Sequence, residues 1–208
     1  MAAPTSAANR ERTHRTQAER SEATRTALLD ATIDGIVDLG YARCSVNEIC
    51  KRAGVSRGAQ QHHFATKAEL TAAAIEHLTL RLRTEMLAKL RDQPAGKERV
   101  ERAVELIWEG FSGKLSTAAL ELWVAARTDP ELRAAMRPVD RALGRSTIDW
   151  YLASTGDEIS PERARTLYWL TINLMRGLAL DVQIGGDAKR RKHLLAEWKR
   201  IAAAVYAD

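Results

Sequence analysis

Residues 45–67 read SVNEICKRAGVSRGAQQHHFATK, and the punctuation of that stretch decides the fold. Ser45 and Glu48 stand at capping-box spacing, where a Ser oxygen and a Glu carboxylate satisfy the first free N–H groups of a helix. Val46, Ile49, Cys50 and Ala53 then recur at i, i+3, i+4 and i+7, one apolar face over two turns. Gly54 stops that helix, because a left-handed closing residue is cheap only for Gly. Val55 turns into the core, and Ser56 is a good N-cap for a second helix beginning at Arg57. The second helix carries Arg57, Gln60, Gln61, His62 and His63 and no acid. Side chains that donate and accept hydrogen bonds, gathered on one short helix, suit the base edges of a DNA major groove.

Upstream, Thr16 and Glu19 repeat the capping-box spacing and predict a helix from near Thr16 to Leu39, closed by Gly40, with Leu29, Ile33, Ile36 and Val37 as its apolar stripe. It braces the two short helices from behind as a three-helix unit. Downstream, Thr66 and Glu69 start a helix with Leu70, Ala74, Leu78, Leu82, Met86 and Leu90 at four-residue steps. That stripe is longer than a three-helix unit can cover, so its far half packs on something else. It reads as a rod from the DNA-binding unit to the rest of the chain.

Gly40-Tyr41, Ser45-Val46, Ile49, Ala53-Gly54-Val55-Ser56, Gly58-Ala59, His63-Phe64, Lys67 and Leu70 stand in the order and spacing of the TetR-type transcriptional regulators. The chain therefore resembles that family over about the first third after its tail. The family usually places an apolar residue and then Tyr before the His-Phe pair; here both positions are Gln, at 60 and 61. The resemblance implies an all-α protein with a helix-turn-helix domain, a helical effector-binding body, and a homodimer formed by the last two helices as a four-helix bundle. The organisation expected is a disordered tail over 1–15, a DNA-binding domain over 16–65, and an effector-binding and dimerisation domain over 66–208. Arg10, Arg12 and Arg15 in the tail are either solvated or an arm that reaches DNA.

The chain has 208 residues and a net charge of +5. From Arg43 to Lys67 the bases Arg43, Lys51, Arg52, Arg57 and Lys67 face the single acid Glu48, so most of the excess positive charge lies in and beside the helix-turn-helix, the footprint of phosphate binding. Five prolines interrupt a chain rich in Ala, Leu, Arg and Glu, which favours helix throughout. Cys44 and Cys50 lack metal-ligand spacing; Cys50 reads as a small buried hydrophobe, with a thiol redox switch as the alternative. No signal peptide opens the sequence and no run is apolar enough for a membrane span, so a cytoplasmic location with no membrane partner is expected.

The remaining helices follow from local signals. Asp92-Gln93-Pro94-Ala95-Gly96 is a turn, followed by helices near Lys97–Ser112 and Ser116–Arg127. Asp129-Pro130-Glu131 starts a helix that Pro138 is expected to kink. Ser160-Pro161-Glu162 starts another, ended by Gly185-Gly186. A last helix covers about Asp187 to Tyr206.

Arg57 matches guanine and Gln60 or Gln61 matches adenine. Ser45, Ser56, His62 and Lys67 suit phosphates, and Gly58 and Ala59 complete the recognition helix. His63 is a packing and backbone-contact residue by resemblance, and the adjacent His62 and His63 diverge too far to chelate a metal. No metal or cofactor is expected. All five tryptophans lie in the second two-thirds. Trp108, Phe111, Trp123, Trp150, Tyr168, Trp169 and Met175 either fill a core or line an apolar pocket. Arg176 either anchors a ligand anion or sits at a subunit edge. The function expected is a ligand-responsive repressor that binds a palindromic operator as a homodimer and is released by a small apolar or aromatic effector. Redox-responsive and ligand-blind regulators, and a protein-interaction module, are the alternatives. No Gly-rich phosphate loop, nucleophile elbow or metal cluster points to an enzyme.

Overall fold

The computed structural model describes residues 16–90, 97–155 and 159–205. The expected tail, its three arginines and the turn at residues 92–96 lie outside the described residues. Among the described residues there are helices and no strand: α1 (Gln17–Arg43), α2 (Val46–Ala53), α3 (Arg57–His63), α4 (Lys67–Leu90), α5 (Lys97–Phe111), α6 (Lys114–Ala126), α7 (Pro130–Thr155), α8 (Pro161–Gln183) and α9 (Ala188–Ala204).

The helix starts obey their capping signals. Thr16 Oγ1 accepts from Glu19 N and the Glu19 carboxylate accepts from Thr16 N, a complete capping box. At Ser45 only half the box forms. Ser45 Oγ accepts from Glu48 N, but the Glu48 carboxylate accepts from Arg52 Nε at 2.8 Å. At α4, Thr66 Oγ1 accepts from Glu69 N, and the return bond to Glu69 comes one residue early, from Ala65 N. The Asp129 carboxylate caps α7 through Leu132 N. Gly40, with φ 75° and ψ 160°, breaks the helical geometry inside α1, and Gly54, with φ 66°, closes α2. Pro138 lies inside α7, which continues on both sides of it.

The main core runs through both expected domains. Leu28 and Ile36 of α1, Ile49 of α2, and Leu70 and Leu78 of α4 share one apolar cluster with Leu122 of α6 and with Leu132 and Met136 of α7. The α4 stripe behaves as a rod: Leu70, Ala74 and Leu78 are buried and Leu82 packs on the same cluster. The side chains of Met86, Leu90 and Trp150 lie outside the described residues. A second cluster holds Val104 of α5, Met175 of α8 and Ala202 of α9, with Trp108 and Trp198 packed against it.

Candidate DNA interface and effector cavity

The α2–α3 turn presents α3 as an open face. Arg57, Gly58, Gln61 and His62 are exposed, and Ala59 and His63 are partly so. A side chain added at Gly58 would meet only Ser56 Oγ at 4.0 Å, so a nucleic-acid backbone has room to approach there. Ser45 and Ser56 spend their oxygens capping α2 and α3, which leaves each hydroxyl hydrogen available to a phosphate. No ion pair among the described residues engages Lys51 or Arg57.

Two of the expected contacts, Gln60 and Lys67, are held within the protein, and Arg52 of the basic stretch is paired. Gln60 is 2% exposed, its Nε2 donates to the Phe64 carbonyl at 2.8 Å, and its Oε1 is buried without a partner. It faces the core because it occupies the position one turn before Phe64, so of the glutamine pair only Gln61 faces outward. Lys67 does not project toward solvent: Nζ donates to the Tyr41 carbonyl at 2.5 Å and lies 3.8 Å over the Tyr41 ring. Burial pulls the Lys67 ammonium below the ordinary lysine pKa. Arg52 is held by Asp38 at 2.6 Å and Glu48 at 2.8 Å, and the hydrogen bond with Asp38, then that with Glu48, raises its pKa. The free positive charge of the head is therefore smaller than the count along the chain. His62 and His63 rings meet edge-on at 5.5 Å, and no group of three or more potential metal ligands occurs among the described residues. Cys44 is fully buried, Cys50 is buried, and both are free thiols. Burial pushes the Cys44 thiol up, which disfavours the thiolate that redox chemistry needs.

A corner of polar contacts ties this head to the body. Glu121 of α6 accepts from Tyr41 N at 2.9 Å, and the Tyr41 hydroxyl donates to Asp129 at 3.4 Å. Burial and then Asp129 raise the Tyr41 pKa to about 12. A side chain at Gly40 would sit 2.9 Å from the Glu121 carboxylate. Lys114 at the start of α6 donates to Asp34 of α1 at 2.7 Å. These contacts join residues 80 or more apart in the chain, and nothing in local periodicity signals them.

A half-open cavity of about 360 Å³ lies between α4, α5, α6, α7 and α8. Four expected residues line it: Phe111, Trp123, Tyr168 and Arg176. Trp108 and Met175 do not; they belong to the α5–α8–α9 cluster, where Met175 is fully buried. Trp169 also lines the cavity, as do Ser116 and Asp140, which nothing in the sequence marks as its walls. Arg176 is half-buried, with its guanidinium 4.3 Å over the Trp123 ring, Nη2 4.0 Å from Asp140, and Nε buried with no partner. Burial lowers its pKa and Asp140 opposes that. Helix α6 touches both sites. Leu115, Ser116, Ala119 and Trp123 line the cavity, while Glu121 holds Tyr41.

Comparison with known proteins decides the family. The model for bacterial regulatory proteins of the tetR family matches residues 28–74. The HTH-type transcriptional regulator CymR of Pseudomonas putida is 32% identical over 196 residues, covering 93% of this chain and 96% of that protein. The chain belongs to the TetR family. It is a DNA-binding helix-turn-helix transcriptional regulator. A crystal structure from Rhodococcus sp., assigned to the TetR-family regulators, shares the fold with a TM-score of 0.68 at 21% identity, over 88% of this chain and 99% of that one. A Saccharomonospora viridis regulator crystallised with choline shares it with a TM-score of 0.64 at 20% identity, over 86% and 95%. The similar proteins are regulators rather than enzymes, and no helix among the described residues is long and apolar enough to cross a membrane.

Proposed function

We propose that this TetR-family regulator is a homodimeric repressor that grips a palindromic operator through paired α3 helices and lets go when a small, largely apolar effector fills the cavity. The observation that carries the reading is the double attachment of α6. One face forms cavity wall and the other holds the α1–α2 corner through Glu121. A ligand that repositions Trp123 or Ala119 moves Glu121 with them, because a helix shifts as a rigid rod. The effector shifts the equilibrium only by its differential affinity for the gripping and released forms.

In the DNA complex Arg57 and Gln61 read base edges, and Ser45, Ser56, Gly58, Ala59, His62 and His63 lie against the sugar-phosphate backbone. Lys67 acts from behind, by fixing the Tyr41 corner. Dimerisation is supported by an exposed stripe on α8: Leu170 at 51%, Asn173, Gly177, Leu180 at 50% and Ile184 at 76%. An added Cβ at Gly177 would meet nothing within 4 Å, so a partner helix can approach closely. Leu194 and Ile201 extend apolar exposure onto α9. Pairing must set the two α3 helices about 34–36 Å apart, or a multiple, to enter successive major grooves.

Selection from random duplexes, followed by binding titrations at several salt concentrations, tests the proposal. A two-fold symmetric site is expected, with affinity falling steeply as salt rises. An asymmetric single half-site, or no preference, refutes it.

A further inference from the structure

We propose, building on the reading of the cavity as the effector site, that the effector is an apolar monocarboxylate whose acid group docks on Arg176. The wall is largely hydrocarbon and aromatic, with Ile107, Phe111, Leu115, Trp123 and Ile172 among its residues. Arg83, Lys89 and Arg176 are the cations of that wall; Lys89 is paired with Glu109 at 3.1 Å, whereas Arg176 has its Nε shielded from water and unpartnered. A guanidinium is always charged and presents a planar fork that matches a carboxylate in two parallel hydrogen bonds. Its nearest acid within the protein is a poor substitute: Asp140 stands 4.0 Å away, its side chain more than half exposed. Trp123 backs the guanidinium face at 4.3 Å, so the fork is oriented before a ligand arrives.

A second unpartnered polar atom belongs to a residue of the same wall. Ser116 is 4% exposed and its Oγ, buried in the unliganded protein, makes no hydrogen bond; a small turn of the side chain would offer it to an oxygen-bearing ligand. Glu85 and Glu109 are further acids in the wall; Glu109 is tied to Lys89 at 3.1 Å and Arg102 at 3.5 Å, which offsets its repulsion of an anion. A neutral hydrocarbon would leave the Arg176 Nε buried and unpaired, and a cationic ligand would meet like charge. The cavity of about 360 Å³ lies at the small end of ligand pockets, roughly 300–1,000 Å³, so the apolar body is one or two rings or a medium-length chain.

The test compares 2-naphthoate and octanoate with their primary amides on the full-length protein, by calorimetry and by quenching of tryptophan fluorescence. The acids should bind about 10- to 100-fold more tightly than the amides, the range for a hydrogen bond to a charged group. Arg176→Gln should erase that preference while leaving amide binding in place. Asp140→Asn, which removes the competing acid, should tighten the acids a few-fold and leave the amides unchanged. If Arg176→Gln does not fold, Asp140→Asn decides, and unaltered acid affinity overturns the assignment. Amides that bind as tightly as acids and release DNA as well overturn the carboxylate but leave the effector cavity standing. Absence of binding by either series at millimolar concentration overturns both.

Discussion

Gln60 and Gln61 are chain neighbours with opposite fates. Successive residues on a helix point about 100° apart, so only one of the pair can face the groove. Gln60 lies one turn before Phe64 and is drawn under α3 with it; the position where relatives carry an apolar residue is here a glutamine folded back on its own helix end. The outward residue is Gln61. Arg57→Ala and Gln61→Ala should each abolish or blunt operator preference without lowering the melting temperature, as read by random-duplex selection and circular dichroism. Gln60→Met should leave preference intact. Its stability should stay within about 1 kcal/mol of wild type, because the lost bond to Phe64 is offset by removal of an unpaired buried oxygen. A change of operator in Gln60→Met would show that the residue reaches DNA after all. At this scale the sequence marks the capping serines and Gly54 well, because those depend on three or four consecutive residues. The turn of Lys67 toward Tyr41 is not marked, since it depends on a partner 26 positions away.

In the proposed mechanism helices act as levers, and α6 has a hold on both sites, as α4 does through Lys67 on Tyr41 and Ile75, Thr79 and Leu82 in the cavity wall. Glu121→Ala removes a charged acceptor from Tyr41 N. It should cost roughly 1–3 kcal/mol and speed amide hydrogen exchange at Tyr41, while leaving the helix content unchanged. Unaltered exchange at Tyr41 would detach α6 from the head. Gly40→Ala forces a side chain into φ 75° and against Glu121, with an expected loss of about 1–3 kcal/mol. Tyr41 gives the same corner a pH signature. Its pKa rises from 10 to about 12 on folding, so between those values the unfolded chain has lost the proton that the native chain keeps. Stability from this group is full below pH 10 and falls as pH rises toward 12. Chemical melts of wild type against Tyr41→Phe over pH 9 to 11.5 should show the extra loss only in wild type. Element types and starts were legible because α1, α4, α7 and α8 carry N-cap, Pro and acid signals in register. The cavity walls were legible only in part. Large apolar residues on a helical stripe look alike whether they fill a core, as Trp108 and Met175 do with their neighbours, or face a void, as Trp123 and Tyr168 do. Asp140 and Ser116 gave no signal, being ordinary polar residues on helices.

The proposed homodimer supplies what one chain lacks. A single head with few free cations binds DNA weakly; two heads on one frame gain avidity, typically about 10²- to 10⁴-fold. Leu180→Arg on the exposed α8 stripe should yield folded monomers by analytical ultracentrifugation and lower operator affinity by about 100-fold or more. A dimer that survives this change would place the subunit contact elsewhere. The length and helical character of the body were readable from composition. Its docking onto the head was not, because Leu122, Leu132 and Met136 look like the private core of a separate domain. They instead share one cluster with Leu28, Ile49 and Leu70. Anyone building hybrid regulators meets the consequence directly. A cut after residue 65 makes a fragment whose leucines have lost their cover, prone to clump rather than to serve as a portable DNA-binding cassette. A working chimera has to import α4, α6 and the front of α7 together with the head.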